Sequence, residues 1–220
     1  MIDFRIMKMN IRRDKLLLSV VAIILSLYMA FSYTYFIASA GSVREEVVRL
    51  HILANSDSFL DQEVKLKVRD ALLQRNKELL LQGTDKESAH LYFLQHKEEL
   101  LETACDVLEE NGFQYGAEVT LTTEYYETRK YEELTFPAGE YLSLRVILGE
   151  GKGKNWWCVM FPPLCVPAAG DVTADAATSE EYFSPSEEKL VDSGNKYIVK
   201  FKLLEIYEEL KMKINKETIK

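Results

Sequence analysis

The stretch Val47-Val48-Arg49-Leu50-His51-Ile52-Leu53-Ala54-Asn55-Ser56-Asp57-Ser58-Phe59-Leu60-Asp61 carries the first two elements of the fold and the turn between them. Val47, Val48, Leu50, Ile52 and Leu53 make it apolar and β-rich over a length that suits a strand. Asn55 to Ser58 then supply turn and helix-start chemistry, and Asp61 stands three residues after Ser58 as a variant of the capping box. Beyond it, Leu60, Val64, Val68, Ala71, Leu72, Leu79 and Leu80 recur at helical spacing, which predicts a helix from Phe59 to about Gln82. Gly83-Thr84-Asp85 breaks the pattern. A second helix is predicted from about Glu87 to Glu110, with Leu91, Leu94, Leu101, Ala104 and Leu108 on one face, and Asn111-Gly112 closes it. Two helices joined by a short turn should pack as a hairpin.

After Gly112 the period changes to two. Val119, Leu121, Thr123 and Tyr125 alternate with more polar neighbours, as on a half-buried strand. Pro137-Ala138-Gly139 reads as a turn, Tyr141 to Leu148 as a second strand, and Trp156 to Phe161 as a third ended by Pro162-Pro163. Between the last two, Gly149 to Asn155 reads as a flexible loop. Residues 167–186 lose apolar content and gain Ala, Asp, Ser and Glu, which predicts a surface loop. A strand-like start at Tyr197 leads into an amphipathic helix through Leu203, Ile206, Tyr207 and Leu210. Helices and strands are segregated, so the expected class is α+β: a helical hairpin on a small, mainly antiparallel sheet, with a C-terminal helix.

Upstream of the opening stretch the chain changes character. Arg5, Lys8, Arg12, Arg13 and Lys15 form a basic cluster, an apolar run follows from Leu16 to Ala30, and Ala38-Ser39-Ala40 precedes Gly41. That order is the n-region, h-region and small-residue site of a secretory signal peptide, with a cut expected after Ala40. Leu16 to Ala40 is also long enough to span a bilayer, so an uncleaved anchor is the alternative. Either way the basic flank stays cytoplasmic and residues 41–220 form one extracytoplasmic domain. Of 27 basic and 35 acidic residues, that domain keeps 22 and 33, a net charge of −11. Such a surface repels phosphate backbones and makes nucleic acid a poor partner.

Candidate catalytic motifs each have a simpler reading. The Gly149 to Gly153 loop lacks the Gly-Lys-Ser/Thr ending of a phosphate-binding loop and reads as a mobile hairpin tip. His51, His90 and His96 have no metal-ligand spacing, and no serine-hydrolase elbow occurs, so no metal or cofactor is expected. Leu190-Val191-Asp192-Ser193-Gly194 resembles an aspartic protease loop, but that chemistry needs two such carboxylates sharing a proton. A single copy near the C-terminus is ordinary turn chemistry. Cys158 and Cys165 flank Pro162-Pro163, whose turn can bring them together as a disulfide; two free thiols are the alternative. Cys105, on the apolar side of the second predicted helix, reads as an inert buried thiol.

Three segments resemble the stage II sporulation protein R family. They are Val48 to Ser58 continuing through Asp61-Gln62 to Leu66-Lys67-Val68-Arg69-Asp70-Ala71; Phe136 to Tyr141 with Leu144-Arg145-Val146; and Gly149-Glu150-Gly151 with Asn155-Trp156-Trp157-Cys158-Val159-Met160-Phe161-Pro162-Pro163-Leu164-Cys165. The last string is the most specific. The resemblance covers about residues 44–165 and adds little beyond Cys165. It implies a non-enzymatic signal, made in the forespore of an endospore-forming bacterium and exported into the space between two membranes. There it triggers a membrane-embedded aspartic protease, stage II sporulation protein GA, which removes the pro-sequence of sigma-E. Tryptophans dominate binding hot spots, so Asn155, Trp156 and Trp157 form the expected contact with that partner; sheet packing is the alternative. Adjacent strand residues face opposite sides, so at most one indole should point outward. An envelope hydrolase or a generic anchored envelope protein are the competing functions.

Overall fold

The computed structural model describes residues 4–76, 86–131, 134–162, 183–192 and 198–218. Helix α1, Phe4–Glu45, is followed by β1 (Val48–Leu53), α2 (Phe59–Arg75), α3 (Lys86–Gln95), α4 (Lys97–Glu110) and β2 (Ala117–Tyr126). A short pair β3 (Arg129–Tyr131) and β4 (Leu134–Phe136), then β5 (Gly139–Leu148), β6 (Asn155–Phe161), α5 (Pro185–Asp192) and α6 (Ile198–Thr218) complete the order. Within α1 the stretch Asp14–Glu45 is long and apolar enough to cross a membrane. Its apolar side chains from Leu16 to Met29 are exposed. Two compact units divide between Ser39 and Ala40.

The class is α+β, and the sheet is mixed. Its order is β2-β5-β1-β6, with β1 parallel to β5 while the β2–β5 and β1–β6 pairs are antiparallel. Alternation along β1 divides the sheet into two faces. Val48, Leu50 and Ile52 join Val119, Leu144, Val146, Leu148 and Met160 in the core under the helices. On α2, Val64, Val68 and Leu72 recur every four residues, and α4 offers Leu100, Ala104 and Leu108 at the same spacing. These two stripes belong to that core, so α2 and α4 are the partners of the expected hairpin.

The second predicted helix is in fact two. His96 leaves helical geometry (φ −101°, ψ 16°), and its ring stacks on Tyr92 while its Nδ1 lies 2.9 Å from the Tyr92 carbonyl. The break resets the helical phase. Leu91 and Leu94, expected in the core, are 49% exposed, and Ala89 and Phe93 are buried instead. Helix α2 stops at Arg75 rather than near Gln82, because Asn76 turns its side-chain amide back onto the Leu72 carbonyl; residues 77–85 lie outside the described residues. On α6 the buried apolar positions are Phe201 and Leu204, whereas Leu203, Ile206, Tyr207 and Leu210 are about half exposed. The apolar stripe expected inward faces out. Tyr197 lies outside the described residues.

The face of the sheet away from α2 and α4 is covered too. The β3–β4 pair lies over it through Tyr131 and Phe136, and Phe183, just ahead of α5, packs against Phe136. Phe183 is buried and α5 begins at Pro185, so the end of the predicted 167–186 loop is packed structure; residues 167–182 lie outside the described residues. The domain's first residues are clasped to it. Arg44 donates to the Ala138 carbonyl (2.8 Å) and pairs with Glu208 of α6 (3.1 Å), and the Ser42 hydroxyl bonds Glu187 in the first turn of α5.

Candidate functional site

The second face of the sheet carries a connected polar and aromatic cluster. Arg49, the second residue of β1, is completely buried. Its guanidinium carbon stands 4.5 Å from the Tyr126 ring, 5.1 Å from Tyr141, 5.3 Å from Tyr131 and 5.5 Å from Phe136. One nitrogen donates to the Tyr131 hydroxyl at 2.9 Å, while Nε and Nη1 have no hydrogen-bond partner. The ring faces replace a carboxylate as the partner of this cation.

Two residues further along β1, His51 shares the same face. Its Nδ1 lies 3.0 Å from Glu124 and its Nε2 3.1 Å from the side-chain oxygen of Asn155. Trp157, directly opposite in the β1–β6 register, stacks on the imidazole and meets Tyr126 edge-on. Burial raises the affinity of Glu124 for a proton. Hydrogen bonds from His51 and Ser143 and the charges of His51 and Arg145 more than offset it, so the carboxyl lies below its ordinary range. Both imidazole nitrogens are engaged, and the cluster orients β6 on β1.

The far end of the sheet is a built turn. The Ser58 hydroxyl caps α2 by accepting from the Asp61 amide at 3.1 Å. The Asp61 carboxylate accepts from Ser56, Asn55 and Tyr115. Burial pushes Asp61 up, and these hydrogen bonds with that of Ser58 bring it below the usual carboxylate range. Only half of the capping box forms, because Asp61 is drawn to Tyr115 and the turn instead of back to Ser58.

The glycine loop is fastened to this turn. Lys152 and Gly153 donate their amides to the carbonyls of Asn55 and Ala54, Glu150 to the Asn55 side chain, and Lys154 to Asp57. Buried Lys65 reaches from α2 to the Lys154 carbonyl at 2.9 Å. A Cβ on Gly153 would stand 2.1 Å from the Ser56 carbonyl oxygen, and Gly149 has φ +55° against the Asn55 side chain. The expected mobile hairpin tip is therefore a packed strap, and its glycines serve close approach rather than motion.

The predicted site residues divide across these features. Asn155 is exposed and holds His51. Trp156 and Trp157 point to opposite faces, and both are half-buried. Trp156 packs on the helix-side core under the Arg69 guanidinium, 4.4 Å from its ring, with its indole nitrogen unbonded. Cys158 is buried in the core, and Cys165 lies outside the described residues. Cys105 is a free thiol, half-buried rather than buried. Leu190 and Val191 are buried on α5, which ends at Asp192; Ser193 and Gly194 lie outside the described residues. Ala38, Ala40 and Gly41 fall within α1. Among the described residues no group of three His, Cys, Asp or Glu is placed to hold a metal. Sequence reading missed the Arg49 cage and the His51–Glu124 pair. The signal for both was the alternation itself, which sets Arg49 and His51 opposite Val48, Leu50 and Ile52.

Residues 44–170 match the family model of stage II sporulation protein R, which spans β1, the capped turn, the strap and the tryptophan strand. The chain belongs to the stage II sporulation protein R family. Stage II sporulation protein R of Bacillus subtilis (strain 168) is 36% identical to it over 123 residues. That alignment takes in 56% of this chain and 55% of the relative, so the chain matches about half the length of the relative. No solved structure matches it. The family match thus contains the sheet and the strap, and ends ahead of α5 and α6.

Proposed function

We propose that this chain is an exported, non-enzymatic signal of sporulation. It is made in the forespore, crosses its membrane by residues 1–40, and activates the membrane-embedded aspartic protease stage II sporulation protein GA, which then processes pro-sigma-E. The observation that carries this reading is membership of the stage II sporulation protein R family across the structured sheet. An aspartic protease site assembled from two subunits works only when both carboxylates meet. A partner with higher affinity for the assembled state shifts that equilibrium without chemistry of its own. The strand carrying Asn155, Trp156 and Trp157 contributes to the contact: Asn155 is its exposed member, and the two indoles fix its position. Residues 41–220 act as the released domain, and a cut after Ala40 leaves the Ser42 and Arg44 clasp intact.

The experiment is deletion of the gene and complementation during sporulation. Pro-sigma-E should accumulate uncleaved in the deletion strain and be processed again when the chain is restored. Complementation with Asp192→Asn should also restore processing, since no step is assigned to that carboxylate. Normal processing in the deletion strain would refute the reading.

A further inference from the structure

We infer that the outer face of α6 is a docking surface for an anionic lipid bilayer, on which the helix lies flat; the inference stands apart from the function proposed above. Val199, Leu203, Ile206, Tyr207, Leu210 and Ile214 are all exposed on that face. They recur three or four residues apart, so they form one stripe about 22 Å long. Phe201 and Leu204 lie on the other side of the helix with Glu208, buried against the domain. The helix is therefore apolar on two faces, and the domain covers one of them.

The charges of α6 say what covers the other. With about 3.6 residues per turn, Lys202 and Lys213 fall along one edge of the stripe, and Lys200 and Lys211 along the other. The carboxylates beside them are turned inward. The Lys202 side chain is 69% exposed and that of its partner Glu205 13%. Lys211 is 54% exposed, and its partner Glu208, which also pairs with Arg44, 7%. Among the described side chains of α6, Lys202, Lys211 and Lys213 are exposed against one exposed carboxylate, that of Glu209. The domain as a whole is acidic, but charges beyond about 8–10 Å are largely screened at physiological salt, so the local lysines decide.

An apolar stripe between two rows of lysines suits the boundary of an anionic bilayer. The apolar side chains enter the acyl region, and the lysine stems bend out to the lipid phosphates. A second copy suits the stripe less. Laid antiparallel, stripe on stripe, it sets Lys202 against Lys213 and Lys200 against Lys211; laid parallel, it sets Lys202 against Lys200 and Lys211 against Lys213. Like charges then meet along both edges, which opposes association. Helix α6 also lies beyond the residues that match the family model, so this surface belongs to the chain's own C-terminal part.

The full chain is reconstituted into vesicles of phosphatidylcholine alone and of phosphatidylcholine with phosphatidylglycerol in equal parts. Hydroxyl-radical footprinting read by mass spectrometry follows the oxidation of Leu203, Tyr207 and Leu210. Oxidation should fall on the anionic vesicles and not on the neutral ones. Each lysine near an anionic surface is worth about five-fold in binding, so Lys202→Gln with Lys211→Gln and Lys213→Gln should weaken the contact about a hundred-fold and restore the neutral-vesicle rate. Equal oxidation of the unchanged chain on both vesicles overturns the inference, whatever the variant does. Equal protection on both, deepening with protein density, overturns it in favour of a second copy.

Discussion

The imidazole of His51 lies flat on the indole of Trp157, with ring centroids 3.6 Å apart and planes 17° from parallel. This cross-strand pair joins the central strand to β6, and Tyr126 meets the indole from the side at 4.9 Å. Trp157→Ala removes both contacts and should destabilise the domain by about 3 kcal/mol, the low end for a large aromatic because the ring is half-buried. Urea unfolding of the two proteins measures it. A loss under about 1 kcal/mol would mean that the stack contributes little beyond its covered area.

The Arg49 cage makes a less intuitive prediction. With ring faces in place of a carboxylate, the cation depends on its planar guanidinium. Arg49→Lys keeps the charge but loses the stacking, so it should cost more stability than Arg49→Met, which fills the cage without a buried charge. Tyr131→Phe, which deletes the one hydrogen bond to the guanidinium, should cost about 1.5–3 kcal/mol. Denaturation midpoints of the three variants give the order.

Much of this architecture is legible in the chain. The β1 pattern, the Ser58 start of α2 and the period of two after Gly112 appear where the residues call for them. What stayed hidden depends on contacts far apart in sequence. The parallel β1–β5 pairing and the β3–β4 pair are fixed by tertiary packing, and the break at His96 is a local choice that a helical period runs straight across. The strap misled for a related reason. Three glycines in five residues read as freedom, and here they admit the side chains of Asn55 and Ile147 and the backbone of Ser56.

That reading of the strap is testable by contrast. Gly153→Ala drives a Cβ to 2.1 Å from the Ser56 carbonyl oxygen, whereas at Gly116 nothing lies within 4 Å. Thermal melts should show Gly153→Ala destabilised by about 1–3 kcal/mol and Gly116→Ala nearly unchanged. Equal midpoints would return the strap to a mobile tip.

Acid should loosen the domain in a defined window. Glu124 and Asp61 both titrate below their ordinary values of 4.5 and 3.8, so their folded-state interactions contribute fully above those values. That contribution is lost as pH falls through the lower folded pKa values. Glu124→Gln should therefore be less stable than the unchanged protein at neutral pH, with the gap narrowing as the solution is acidified. Unfolding free energies from pH 7 down to pH 3 check the slope.

A disulfide between Cys158 and Cys165 is predicted for the exported protein. Closing so short a loop should add about 2–3 kcal/mol. Mass spectrometry after alkylation without reduction should find Cys105 modified and the other two protected; alkylation of all three thiols would reject the bridge.

The central claim is that an exported domain switches on a protease by contact alone. The direct measurement is the fraction of pro-sigma-E processed in a non-sporulating host that makes only pro-sigma-E, the protease and this chain. Processing should require the chain and should disappear when residues 1–40 are deleted, which keeps the domain in the cytoplasm. Equal processing without the chain, or with the chain held inside, would contradict the account.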